Sequence, residues 1–227
     1  MGESTKPTAA FFRVEGTLLS RGALATSAYF AANKQGITER LLGLGQVALA
    51  APLYAVLGQN DRTLANRVAW LALRNMSEDR VLSLSEEYFA EVLQGKVMAR
   101  GRELLERARE EGHRIVLLSE LIAPLAEPLA VRLGHVDRLV CNRLEFRDGV
   151  ATGKLLDPVV GGYNGGRWAV AWAAENGIDL GRSLAYASHG PDLTLLGVVG
   201  KPCAVNPDFT LRSAAKDADW PIVVYEV

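Results

Sequence analysis

The chain has 227 residues and a mass of 24.5 kDa, and 49% of its residues are hydrophobic while 22% are charged. This length is enough for one large domain, or for a core with a smaller insertion, around a true hydrophobic core. The formal net charge of −1 and the scattered basic residues exclude the electrostatic footprint of a nucleic-acid-binding protein. The two cysteines, Cys141 and Cys203, lack CxxC spacing, which argues against disulfides or a zinc site and favours a reducing compartment.

The N-terminal residues, MGESTKPTAA, give no targeting signal. They are polar and lack the apolar core of a signal peptide. The chain begins Met-Gly, but Lys6 stands where a myristoylation motif needs Ser or Thr. We therefore expect a cytoplasmic location.

The first predicted element is a buried strand in residues 8–14, TAAFFRV. Continuous apolar runs bounded by turn residues are typical of strands in a parallel sheet. The run breaks into Gly16 and Thr17, with Arg13 and Glu15 beside the break. Ligands bind at the carboxyl ends of such strands, so this stretch is a candidate site.

Residues 21–96 carry almost only helix pattern before the next core helix begins. The segment is long enough for four or five short helices. We predict that it forms a helical cap over the strand ends, inserted into an α/β core made of residues 1–20 and 97–227.

Within this insertion, residues 41–58 read LLGLGQVALAAPLYAVLG, and Gln46 is their one polar side chain apart from Tyr54. The length approaches that of a membrane span, but two glycines and Pro52 weaken that interpretation. One hypothesis is a buried helix pair kinked at Pro52. The other is a surface that meets lipid, an acyl chain or a protein partner.

Beyond the insertion, strand and helix patterns alternate. Residues 99–113 have helical spacing and end near Gly112. Further buried strands are predicted at 114–119, 138–141, 184–187, 203–206 and 221–227. This alternation predicts an α/β fold with a Rossmann-like, doubly wound parallel sheet. Its strand ends would carry Ser119 and Ser188 beside the first turn.

A hairpin interrupts the alternation. Asp148 and Gly149 lie between two short extended runs in residues 144–156. An Asp-Gly pair between such runs predicts a tight β-turn.

These motifs, in this order, resemble the haloacid dehalogenase (HAD) superfamily in its phosphoserine-phosphatase-like branch with a helical cap. That family opens with Asp-x-Asp-Gly-Thr, where this chain has RVEGT at residues 13–17. Ser119 in IVLLSE matches the second motif, and Arg167 in GGYNGGRWAVAWAA stands where the family has a lysine. In AYASHGPDLTLLGVVGKPCAVNPD, Ser188 replaces the first acidic residue of the last motif and Asp192 keeps the second.

The resemblance implies the fold, but the substitutions predict impaired catalysis. In the family, the first aspartate attacks phosphorus and the second acts as acid and base. Arg13 cannot attack, because its guanidinium stays protonated. Glu15 keeps a carboxylate at the acid/base position, so it is the candidate catalytic residue only if the protein is an active phosphomonoesterase with a non-standard mechanism.

The magnesium site that the resemblance implies is also altered. Mg²⁺ in such a site needs carboxylates together with the substrate phosphate. Arg13 and Ser188 replace two acidic ligands, and at an effective dielectric of ~20 a unit positive charge ~4 Å from Mg²⁺ is repelled by about 8 kcal/mol. We predict no cofactor, and Mg²⁺ only if the enzyme alternative holds.

Two interpretations of the altered pocket stay open. In the first, it binds a phosphorylated or carboxylate small molecule through Arg13, Gly16, Thr17, Ser119, Arg167, Ser188 and Asp192. In the second, Arg13 pairs internally with Glu15 or Asp192 and seals the pocket. We predict a pseudophosphatase that keeps an anion pocket, or that binds a protein partner or lipid through residues 41–58; the alternative is an active HAD hydrolase that uses Glu15.

Overall fold

The computed structural model describes residues 6–56, 61–161 and 164–225. Its strands are β1 (Ala9–Arg13), β2 (Arg114–Ile122), β3 (Arg138–Asn142), β4 (Leu144–Arg147), β5 (Val150–Leu155), β6 (Leu184–Ala187), β7 (Lys201–Val205) and β8 (Ile222–Val223). Its α-helices are α1 (Ala23–Ala32), α2 (Ile37–Val56), α3 (Thr63–Trp70), α4 (Glu78–Tyr88), α5 (Ala99–Glu110), α6 (Ala123–Leu133), α7 (Asn164–Asn176), α8 (Leu193–Leu196) and α9 (Phe209–Asp217).

Six strands form one parallel sheet in the order β3-β2-β1-β6-β7-β8. The central strand β1 is buried along its whole length, as a strand covered on both faces must be. Phe11 packs edge-on against Trp172 on one face, and Phe12 stacks on Tyr186 on the other. The predicted α/β fold with a doubly wound parallel sheet is confirmed.

The predicted hairpin is also confirmed. Strands β4 and β5 pair antiparallel as a separate two-stranded sheet. Asp148 and Gly149 join them with φ angles of 50° and 72°. Positive φ at both central residues is the signature of a type I′ turn, whose twist matches that of the flanking strands.

The chain from β1 to α5 is helical wherever the structure describes it as regular, apart from isolated bridges at Leu19 and Ser77. Helices α1 to α4 account for most of this stretch, with short 3-10 and π turns between and after them. The helix pattern of residues 21–96 therefore corresponds to helices in the molecule. Its division from the rest of the chain as a separate cap stays a prediction.

The hypothesis that residues 41–58 form a buried, kinked helix pair is wrong for the described part of that segment. Residues 37–56 make one continuous helix, α2, that includes Pro52; residues 57 and 58 lie outside the described residues. Small side chains take its inner face: a Cβ added at Gly43 would lie 3.2 Å from Cβ of Ala31 in α1. The larger side chains are left outside, because close packing of two helices favours the smallest residues at the contact.

None of the helices in the described ranges combines the length and apolarity needed to cross a membrane.

Candidate functional site

The turn after β1 is held by internal contacts. Gly16 has a φ of +85°, and a Cβ at this position would lie 2.6 Å from Cβ of Ser188. Only glycine tolerates that conformation and that approach. The amide of Gly16 donates to the carbonyl of Leu19 at 2.8 Å, and the hydroxyl of Thr17 donates to the carbonyl of Arg13. These two polar groups of the turn are therefore directed into the protein.

The end of β2 meets this turn through Glu15. The register of β2 against β3 shifts between Leu118 and Ile122, which releases the intervening residues from regular pairing. Within this irregular stretch, the hydroxyl of Ser119 donates to Oε1 of Glu15 at 2.6 Å, and the amide of Glu120 donates to the same oxygen at 3.0 Å. Glu15 is thus fixed by two donors and is only 3% exposed.

Arg13 lies between two buried carboxylates. Its Nη2 donates to Oε1 of Glu120 at 2.9 Å, and its Nε lies 2.8 Å from Oδ1 of Asp192. On the other side of Glu120, Nη2 of Arg62 lies 3.3 Å from Oε2. We call Arg13, Glu15, Arg62, Glu120 and Asp192 the ionic cluster; all five are buried.

Burial and charge together set the protonation of the ionic cluster. Burial alone would lower the pKa of Arg13, but attraction by Asp192, Glu120 and Glu15 outweighs it and raises that pKa. Burial raises the pKa of Glu15, and repulsion by Glu120 adds to the effect. By formal charge, a proton on Glu15 leaves two arginines and two carboxylates in the ionic cluster. The cluster is therefore electrically neutral when Glu15 is protonated.

Ser188, His189 and Asp192 do not form a hydrolytic triad. The hydroxyl of Ser188 donates to the carbonyl of Val205 at 2.6 Å, and Asp192 pairs with Arg13. Burial and the nearby cations Arg62 and Arg13 hold the pKa of His189 well below its usual range. The imidazole is therefore neutral and lacks the partners that general-base catalysis requires.

The structure brings most of the predicted site residues together at the carboxyl edge of the sheet. Those that meet there are Arg13, Glu15, Gly16, Thr17, Ser119, Ser188 and Asp192. Arg167 does not join them: it is exposed on the first turn of α7. Its neighbour Trp168 instead lines a mostly apolar cavity of about 40 Å³ beside Arg13.

Two members of the ionic cluster, Glu120 and Arg62, were not predicted as site residues. Glu120 follows Ser119 directly, and an acidic residue at the end of an apolar strand is a usable signal. Arg62 precedes α3, far from the strands in sequence, and no local pattern connects it with them. Its backbone amide donates to the carbonyl of Gly161, and its guanidinium lies 5.1 Å from the ring centre of Tyr54.

The residues of the site do not fit a magnesium ion. In the parts of the chain that the structure describes, no group of three or more His, Cys, Asp and Glu side chains is arranged to hold a metal. The carboxylates of Glu120 and Asp192 are close to each other, but both contact the Arg13 guanidinium. A cation here would have to displace a buried arginine from its ion pairs.

Comparison with known proteins agrees with this architecture. A family model described as haloacid dehalogenase-like hydrolase matches residues 10–197. A putative hydrolase of Mycobacterium leprae is 29% identical over 215 residues, which cover 94% of this chain and 71% of that protein. The phosphoserine phosphatase SerB1 of Mycobacterium tuberculosis is also 29% identical over 215 residues, with 94% and 70% coverage.

Solved structures give the same fold. A crystal structure of a protein with unknown function from Bordetella pertussis has a TM-score of 0.80 at 22% identity and covers 96% of this chain and 99% of its own. A phosphoserine phosphatase, solved as an analogue of its phospho-aspartyl intermediate, has a TM-score of 0.74 at 17% identity, with 98% and 95% coverage. By sequence and by fold, this chain belongs to the haloacid dehalogenase-like hydrolases, in their phosphoserine-phosphatase-like branch.

Proposed function

We propose that this protein is a pseudophosphatase, a member of its family that binds a partner without turning over a phosphate ester. One observation carries the proposal: the Arg13 guanidinium lies between Glu120 and Asp192, with 2.9 Å and 2.8 Å contacts. Arg13 also stands at the position that corresponds to the attacking aspartate of the family. One side chain therefore takes the place of the nucleophile and occupies the carboxylates that a cation would need.

The internal contacts of the site argue against the anion-binding form of this proposal. An anion pocket needs donors that are free to point at a ligand. Here Ser119 donates to Glu15, Ser188 donates to Val205, and Arg13 is held by two carboxylates. Arg167 is exposed on the first turn of α7. We therefore favour the sealed form, in which the ion pairs of Arg13 close the former catalytic edge.

The sealed form also opposes hydrolysis by Glu15. A general base must be ionised and must reach the proton of the attacking water. Oε1 of Glu15 already accepts from Ser119 and Glu120, and the raised pKa of Glu15 favours its neutral acid. The raised pKa and the two hydrogen bonds to Oε1 both make Glu15 a poorer proton acceptor.

The test is phosphate release from phosphoserine and from an aryl phosphate, with and without Mg²⁺. We expect no release above that of a mock purification from the same host. Glu15→Gln is the matched variant, because it keeps the acceptor oxygen but cannot serve as a base. Phosphate release by the unmodified protein that Glu15→Gln abolishes would show that the protein is an enzyme.

A further inference from the structure

Helix α2 presents a long apolar face to solvent. From residue 41 to residue 56 the helix contains no Asp, Glu, Lys or Arg. Its large side chains point outward: Ile37, Leu41, Leu42, Leu49 and Val56 are 77%, 64%, 59%, 67% and 72% exposed. Contiguous apolar patches of more than a few hundred Å² are rare on monomers and mark interaction surfaces.

Six exposed residues of α2 follow a heptad pattern. Spacings of four and three residues alternate along the series Ile37, Leu41, Leu44, Ala48, Ala51 and Ala55, and every member is exposed. This alternation is the signature of a seam that packs against another helix. We call these six residues the α2 seam. The inner face of α2 is separate from it and packs on α1 and α3 through Gly43, Val47 and Ala50.

The α2 seam is asymmetric along its length, and this asymmetry indicates its partner. Its N-terminal half carries Ile and Leu, and its C-terminal half carries only Ala. An antiparallel second copy would place Leu41 and Leu44 of each helix against the small side chains of the other. Centred on Ala48, such a pair sets Leu41 opposite Ala55 and Leu44 near Ala51 and Pro52 of the partner. We propose that the protein forms a two-fold dimer through antiparallel packing of α2 against α2.

Charge at the helix ends supports the same arrangement. Arg40 is exposed at the start of the uncharged stretch. In the antiparallel pair it lies beside the last turn of the partner helix, whose carbonyl groups carry partial negative charge. A membrane surface is a poorer match, because helices that lie on membranes pair their apolar face with Lys and Arg. Neither residues 41–56 nor α1, which packs beside them, contain any such residue.

The first experiment measures the molecular mass by sedimentation equilibrium up to about 100 µM protein, where a dimer with a micromolar Kd is largely assembled. We expect the mass of two chains. The double variant Leu41→Glu/Ala48→Glu places charges in the seam, and we expect it to weaken the dimer more than about 100-fold. Val131→Glu on α6 is the matched control, since Val131 is 81% exposed outside the seam; it should leave the dimer unchanged.

The second experiment tests the orientation by oxidative cross-linking, in a variant that keeps the wild-type seam apart from one residue. Ala48→Cys should cross-link to its own copy, because residue 48 lies on the two-fold axis. Ile37→Cys should not, because the two copies would be about 33 Å apart along the helix pair at 1.5 Å per residue. Unmodified protein controls for Cys141 and Cys203.

Three outcomes would overturn the proposal. They are a monomer at about 100 µM, a dimer that the glutamate variant leaves intact, and cross-linking of both cysteine variants, which indicates parallel helices. Monomeric protein that binds phosphatidylcholine vesicles through the α2 seam would assign the surface to lipid instead.

Discussion

Nη2 of Arg13 donates a 2.9 Å hydrogen bond to Oε1 of Glu120, and the two side chains are 5% and 0% exposed. A pair this deeply buried is costly to desolvate, and its net contribution to folding is therefore small. Disruption of the pair is strongly destabilising, because a single substitution leaves a buried charge without that partner. This asymmetry governs how the protein should respond to changes at residue 13.

Arg13→Met should destabilise the fold by about 3–5 kcal/mol, since it removes the ion pair of the buried Asp192 carboxylate and leaves the Glu120 carboxylate with Arg62 alone. Arg13→Lys should cost less, because an ammonium keeps the charge but cannot reproduce the two-sided contact of a guanidinium. Urea unfolding at one fixed protein concentration measures both. Arg107→Met is the control: Arg107 pairs with Glu111 on the surface, and its loss should leave the midpoint unchanged within error. Equal midpoints for Arg13→Met and the wild type would contradict the account of the ionic cluster.

The Glu15→Gln variant should fold, and its free energy of unfolding relative to wild type should increase with pH. Burial raises the pKa of Glu15 in the folded state. The folded protein therefore binds the proton of this group more tightly than the unfolded chain does. Stability from this group is complete below the unfolded pKa of about 4.3 and is lost as pH rises through the folded pKa. Glutamine keeps the acceptor for Ser119 and cannot ionise. The free energy of unfolding of the variant, relative to wild type, should therefore increase from pH 5 to pH 8; a constant difference would mean that Glu15 is ionised throughout.

Inorganic phosphate should not stabilise the protein by binding at the sheet edge. A site filled to 100 times its Kd adds about 2.7 kcal/mol, which shifts the melting temperature of a chain of this size by roughly 5–10 °C. We expect less than about 1 °C at 10 mM phosphate, relative to NaCl at the same ionic strength. Arg13→Lys serves as the comparison, because it keeps the charge. A large shift in wild type that Arg13→Lys reduces would reopen the anion pocket.

Arg13→Asp combined with Ser188→Asp should create a cation site where none now fits. The pair of changes removes a guanidinium and adds two carboxylates beside Glu120 and Asp192, which suits Mg²⁺. We expect Mg²⁺ to raise the melting temperature of this double variant and to have no such effect on wild type or on Ser188→Asp alone. Weak Mg²⁺-dependent phosphate release should accompany the shift, limited by the longer Glu15 side chain. An unchanged melting temperature in Mg²⁺ would show that Arg62 still repels the ion.

The sequence predicted the sheet well because its strands are short apolar runs with turn residues at both ends. It also predicted the hairpin, since Asp148 and Gly149 suit a turn that needs positive φ twice. It failed where the outcome depends on which side of a helix faces inward. In α2 the hydrophobic residues surround the helix, so hydrophobicity could not identify the exposed face.

Helix phase also explains the difference at α7. Arg167 and Trp168 are neighbours in sequence, yet one residue corresponds to about 100° around a helix. The resemblance to the family motif pointed to Arg167, because it is the basic residue at this position. In the structure, Trp168 is the residue that lines the cavity beside Arg13. The role of Arg62 could not be predicted for another reason. Its contact with Glu120 spans 58 positions of the chain, and no local pattern indicates such a contact.

The ion pair between Arg62 and Glu120 restricts movement of the helical stretch relative to the central sheet. Arg62 precedes α3, in the helical stretch between β1 and α5, while Glu120 lies in β2 of the central sheet. Asn66, one turn further along α3, adds a 2.9 Å hydrogen bond to the carbonyl of Val160. An enzyme that closes over its substrate must also let the product leave, and a helical stretch held to the sheet by buried charges resists that cycle. Restoring the lost carboxylates would therefore rebuild a reaction centre beneath an ion pair that resists opening. Turnover of the double variant should stay slow for as long as Arg62 keeps its contact with Glu120.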